Sequence, residues 1–148
     1  MNLIIYGITL IVLSIVAVPS LILAKKPNAK ELLDKVAPYQ GWAGVLFCLW
    51  GIWGIIDCLL NLNYFSFGMW GIIVWVTAFV CSAVEAILGF MLGYNLIVEY
   101  VLSKNEKTAE KGAQIQAKLS PLQGTVGIVG IIAGVWCIIL TFIWKAMI

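Results

Sequence analysis

The chain has 148 residues, 63% of them hydrophobic and 11% charged, against roughly 45–50% apolar residues in an ordinary soluble domain, so an all-α integral membrane protein is expected. Its net charge of +2 arises from nine basic residues, every one a lysine, set against seven acidic ones. Without histidine or arginine the usual general base, zinc or haem ligand and bidentate phosphate clamp are missing, which argues against an enzyme and against a resident metal or cofactor.

Four apolar stretches are long enough to cross a hydrocarbon core of about 30 Å, which takes roughly 20 helical residues. The first, about Leu3 to Ala24, lacks a basic leader and is too long for a signal-peptide core, so it is expected to remain as a span. The polar connection that follows, PNAKELLDKVAP, reads as a short mixed-charge helix, with Asn28 and Glu31 at capping-box spacing. Span two, about Trp42 to Leu60, is expected to begin at Pro38, whose missing N–H is harmless in a first helical turn. An uncharged turn, Asn61 to Phe67, leads into span three, about Met69 to Leu102, which is longer than the bilayer requires and is expected to tilt or project. A second short charged helix, KNEKTAEKGAQIQAKL, then precedes Pro121 and span four, about Gly124 to Trp144.

The lysines sort by connection. Lys25, Lys26, Lys30 and Lys35 lie between spans one and two, and Lys104, Lys107, Lys111 and Lys118 between spans three and four, leaving only Lys145 elsewhere. By the positive-inside rule the connections 25–40 and 103–122 are expected in the cytoplasm, with both termini and the Asn61 to Phe67 turn outside, and the expected location is the bacterial inner membrane. Trp50, Trp53, Trp70, Trp75, Trp136 and Trp144 then fall in the outer half, where amphipathic rings anchor.

The ten residues KVAPYQGWAG, Lys35 to Gly44, recur 83 positions later as KLSPLQGTVG. Pro38, Gln40, Gly41 and Gly44 thereby match Pro121, Gln123, Gly124 and Gly127, and the match continues from Gly51 to Gly134 and from Trp53 to Trp136. A duplicated two-helix hairpin is expected inside one membrane domain, 1–148, with units of about 1–65 and 66–148. Each unit holds an even number of spans, so the repeat is parallel, with a pseudo-twofold axis along the membrane normal, unlike the inverted repeats of many secondary transporters. The first helices match less well, SLILAKK against EYVLSKN at an offset of 79, which would make the second connection about four residues longer.

Gln40 and Gln123 sit one turn into their spans, where each can bond a neighbouring helix or a lipid headgroup for roughly 0.5–2 kcal/mol. Gly41, Gly44, Gly51 and Gly54, with Gly124, Gly127, Gly130 and Gly134, expose backbone for close packing, either within the bundle or against other subunits.

Span three carries Glu85 well inside the apolar region, and an intramembrane carboxyl is a functional hypothesis by default. Steps of four place Cys81, Glu85, Gly89 and Gly93 on one small-residue stripe, so Glu85 is expected to face protein. With no lysine at its depth it is expected as the neutral acid, serving either as a hydrogen-bond donor or as a proton or cation exchanger. Asp57, toward the outer end of span two, is expected to lie too high to pair with it. Cys48, Cys58, Cys81 and Cys137 all fall in apolar spans, form no C-x-x-C pair, and are expected to act as small apolar residues.

Dense glycine faces, short connections and missing catalytic groups point first to a non-enzymatic subunit, a scaffold or accessory component of a membrane assembly or homo-oligomer. Its expected partners are lipids, other membrane subunits and a cytoplasmic partner or headgroups at the lysine-rich connections, with no nucleic acid. The alternative is a proton- or cation-conducting subunit. A tandem hairpin with Q-G-x-x-G and an EAILG stretch around Glu85 resembles the duplicated proteolipid subunits of rotary ATPase rings, and that resemblance implies an ion-binding role for Glu85. In that family the carboxylate sits on the second helix of a hairpin, whereas Glu85 is on the first.

Overall fold

The computed structural model describes residues 2–23, 30–100 and 104–147. Four helices account for nearly all of them: α1 (Leu3–Leu23), α2 (Lys30–Leu60), α3 (Gly68–Tyr100) and α4 (Glu106–Met147), with a 3₁₀ turn at Leu62–Phe67 and no strand among the described residues. Pro38–Leu60, Leu62–Tyr94 and Pro121–Met147 are each long and apolar enough to cross a membrane, and the chain is an all-helical membrane protein. The described apolar part of α1, Leu3–Val18, is shorter. The whole of α1 has 21 residues, about 32 Å at 1.5 Å per residue.

The charged connections depart from expectation. They are not separate short helices closed off by proline, because α2 already begins at Lys30 and α4 at Glu106, and each runs unbroken into its apolar part. Pro38 and Pro121 therefore lie inside helices instead of starting them. An interior proline removes one N–H and crowds the preceding turn. Both prolines are exposed, and they sit at the lysine-bearing ends of their helices, where water can take up the freed carbonyl. Asn28, the expected cap, lies outside the described residues.

Inside the bundle, polarity does not decide burial: small and polar side chains are buried alongside a few leucines. Leu46, Leu49, Trp53, Ile132 and Phe142 are exposed, while Ser14, Ala17, Cys58, Ala78, Cys81 and Ser82 are wholly or almost wholly buried. That is the pattern of a bundle in lipid, where apolar side chains gain nothing from leaving the surroundings and small ones let backbones approach. The most extensive contacts join α2 to α3 and α1 to α4, with smaller ones between α3 and α4, α1 and α3, and α1 and α2. An apolar layer of Leu13, Ala17, Leu88 and Leu92, with Phe47 and Val126 packed on it, fills the lysine end. Leu3, Cys58, Val74, Ala78 and Leu140 fill the opposite end, next to the 3₁₀ turn.

That turn is held by two devices. Gly68 takes φ 68° and ψ −151°, a conformation open in practice only to glycine, and starts α3. Trp75 then donates its indole N–H to the Cys58 carbonyl at 2.7 Å, tying α3 back to the end of α2.

A buried polar centre

The repeated motif residues stand at helix contacts of the same chain. Gln40 is buried and donates its amide N–H to the Val16 carbonyl of α1 at 3.0 Å; Gln123 and Gly124 are buried in α4. Gly44 lies against the backbone of Gly89 and Gly93, and Gly51 against that of Ala86 and Ser82, so α2 and α3 meet backbone to backbone. On α4, a Cβ at Gly127 would sit 3.3 Å from Val18 and 3.4 Å from both Ala17 and the Ser14 carbonyl, and one at Gly134 would sit 2.9 Å from the Gly7 carbonyl. Gly130 faces the Ser14 hydroxyl, and Gly41 faces Leu96.

Glu85 is fully buried on α3, with Ser82 one turn before it and also fully buried. Neither Glu85 carboxyl oxygen has a hydrogen-bond partner within the protein, and the same holds for the Ser82 and Ser14 hydroxyls. Thr9 of α1 is a neighbour of the Glu85 carboxyl. Its hydroxyl proton, however, goes to its own helix, to the Ile5 carbonyl at 2.9 Å and the Tyr6 carbonyl at 3.1 Å. Held there, the Thr9 oxygen is left to accept a hydrogen bond from a protonated Glu85. Unpaired polar atoms at this depth disfavour folding by about 1–3 kcal/mol each unless water or a ligand reaches them.

Tyr6 completes the centre. Its ring packs beside Gly54, where a Cβ would lie 2.8 Å from Tyr6 Cε1 and 2.5 Å from Ser82 Oγ, so tyrosine and serine share one space that only glycine leaves open. The Tyr6 hydroxyl lies beside the Asp57 carboxylate and within electrostatic range of Glu85. Asp57 is half-buried and accepts from the Asn61 amide at 2.9 Å. Next to it, Asn2, Ile5, Tyr6, Trp50, Trp53 and Asp57 enclose a cavity of about 190 Å³ that opens at the turn end. The structure thus sets one tyrosine between the two carboxyl groups that the sequence leaves apart.

Two features escape the sequence reading. Tyr6 and Thr9, three residues apart and hence on one helix face, are a polar pair in an otherwise apolar span, and that spacing was available as a signal. The second is a correction: Cys81 and Cys137 are not two independent small apolar residues but form a disulfide between α3 and α4, with Cα atoms 7.6 Å apart. Nothing in their spacing of 56 residues announces it. Cys48 and Cys58 take no part in a disulfide among the described residues. No group of three or more acidic, histidine or cysteine side chains fit to hold a metal ion occurs among the described residues.

Comparison of the chain with protein-family models, with characterised proteins and with solved structures gives no match. The class of protein, a helical membrane bundle with a buried carboxyl centre, rests on its own fold and site.

Proposed function

We propose that this chain is a non-enzymatic, four-span membrane bundle, duplicated from a two-helix hairpin, that exchanges a proton or small cation at Glu85. The observation that carries the reading is a fully buried carboxyl whose two oxygens have no partner in the protein, beside a hydroxyl in the same condition. An intramembrane ionisable group so placed is retained against a substantial free-energy penalty, which makes a structural role alone a poor account of it. The orientation inferred from the lysines puts the connections 25–40 and 103–122 in the cytoplasm and the Asp57 cavity outside.

The contacts of the glycines support the duplication. Gly44 meets Gly89, Leu92 and Gly93, while Gly127 meets Ser14, Ala17 and Val18; Gly51 meets Ser82 and Ala86, while Gly134 meets Gly7 and Ile11. α2 thus relates to α4 by 83 positions, and α1 to α3 by a consistent 75 positions instead of the weaker 79 read from the sequence. The second connection is then eight residues longer than the first.

The same correspondence sets Tyr6 opposite Cys81, Gly54 opposite Cys137, Asp57 opposite Leu140 and Glu85 opposite Leu10. Leu10, Cys81 and Cys137 do form one buried apolar cluster. One junction has become polar and its counterpart has been filled and cross-linked, as expected when a single copy of a duplicated site is used.

The scaffold role draws less support. Its warrant was the glycine faces, and Gly44, Gly51, Gly89, Gly93, Gly127, Gly130 and Gly134 all face helices of their own chain. The test is proton and sodium flux into vesicles holding the purified chain, with oligomer mass measured alongside. Glu85→Gln should keep assembly and abolish flux, since an amide does not titrate near neutral pH. A wild-type chain with no flux of either ion, found only in a fixed complex with other proteins, would return the account to the scaffold role.

A further inference from the structure

We propose that Asp57 and Tyr6 form a proton entry to Glu85 from the turn end only, the lysine end being closed by the apolar layer of Leu13, Leu88 and Leu92. The inference rests on the reading of Glu85 as an exchanging group and names its cargo as the proton.

The polar side chains are arranged in sequence along the bundle. Asp57 borders the open cavity at the turn end. Tyr6 is only 5% exposed, lines the same cavity as Asp57, and reaches inward to the space shared with Ser82 beside Gly54. Glu85 follows Ser82 by three residues, nearly one turn deeper along α3. The Ser82 hydroxyl and the Glu85 carboxyl, neither with a hydrogen-bond partner in the protein, are the polar groups of this innermost stretch, and the relay places a water there between Tyr6 and Glu85.

Beyond Glu85 the core becomes mostly apolar. Leu88 and Leu92 of α3 and Leu13 of α1 are fully buried, and Phe47 and Val126 pack against them. Ser14, next to Leu13 on α1, is the buried polar side chain described at this level, where its hydroxyl faces Gly130 of α4; Gln40 and Gln123 stand beyond the layer.

Ligand count favours the proton over a divalent cation. A divalent metal cation drawn from water requires several oxygen ligands at once. Among the described residues Glu85 is the only carboxyl in this innermost stretch, and no three acidic, histidine or cysteine groups come together as a metal site. A proton requires one carboxylate and a hydrogen-bonded path.

The transfer balances without a co-reactant. A hydronium ion at the cavity gives its proton to the Asp57 carboxylate and leaves as water, and the protonated Asp57 then donates to the Tyr6 hydroxyl oxygen. The phenol oxygen then takes that proton while its own proton leaves, through the intervening water, to the Glu85 carboxylate. Tyr6 is neutral before and after, Asp57 returns to its carboxylate, and one proton has moved inward. Release to the lysine end requires the leucine layer to part, so the described conformation is the one open to the turn end.

The experiment measures proton flux in vesicles for Tyr6→Phe, Asp57→Asn and Glu85→Gln, each checked for unchanged oligomer mass and thermal unfolding. Tyr6→Phe keeps the ring that packs on Gly54 and removes only the relay hydroxyl, so flux should fall tenfold or more; Asp57→Asn should reduce it several-fold. If the tyrosine variant unfolds, Asp57→Asn at the rim of the cavity carries the test. Wild-type rates in the relay variants, with flux still abolished by Glu85→Gln, would overturn this entry route and leave the reading of Glu85 standing. A wild-type chain whose flux ignores Glu85→Gln would remove both.

Discussion

Gly51→Ala offers a measure of how closely α2 and α3 are bound. A Cβ there meets backbone, not a mobile side-chain end: it would overlap the Ala86 amide and lie 2.8 Å from the Ala86 Cα and 2.9 Å from the Ser82 carbonyl. Relief requires the two helices to move apart along their whole contact, the most extensive in the bundle. Overpacking of this kind commonly costs about 1–3 kcal/mol, against which alanine's better helix propensity returns up to about 1 kcal/mol. A net loss of roughly 0.5–2 kcal/mol is expected.

The matched control is Gly127→Ala on α4, whose Cβ would find its nearest neighbours at 3.3 and 3.4 Å, within reach of small adjustments. Its net effect should be near zero. Unfolding in mixed detergent micelles of rising dodecyl sulfate fraction, followed by tryptophan fluorescence and helical circular dichroism, should therefore separate the two variants by about 1 kcal/mol or more. Equal stabilities, or a Gly51→Ala protein more stable than Gly127→Ala, would refute backbone-to-backbone packing of α2 on α3.

Two further outcomes concern covalent structure and orientation. Protease cleavage within 103–122, at the lysine-bearing start of α4, should leave the two fragments joined on non-reducing gels and separate them on reduction, with Cys81→Ser abolishing the link; fragments that part without reductant would exclude the Cys81–Cys137 bond. In a chain freed of its native cysteines, a cysteine at Lys111 or Lys118 should resist a membrane-impermeant thiol reagent in intact cells while one at Asn63 reacts, and the opposite labelling would invert the assigned orientation.

The helices and the burial of Glu85 against protein were legible because they depend on local quantities: apolar run length, an isolated carboxyl, and small residues at steps of four. Helix starts were not, because proline is a reliable start signal only where the preceding residues do not favour helix, and KELLDKVA before Pro38 favours it strongly. The motif P-x-Q-G-x-x-G was visible as a repeat, yet its role as an internal contact depends on which helix lies opposite. Pairing of α2 with α3 and of α1 with α4 is a tertiary fact that no single span carries. Tyr6 was missed for the same reason: it gains meaning only when α1 lies beside Asp57 of α2 and Glu85 of α3. The offset between the first helices is hard to read from sequence because apolar sequences align almost equally well at several registers.

The most direct test of the account is whether the buried Glu85 carboxyl exchanges its proton with water. Infrared difference spectra of the reconstituted chain, recorded across a pH step and after transfer to D₂O, should show a protonated carboxyl band that responds to both and is missing in Glu85→Gln. The account predicts that band, with exchange surviving in a chain that stays folded and intact. A Glu85 band that never responds to pH or D₂O, or a spectrum unchanged by Glu85→Gln, would contradict it.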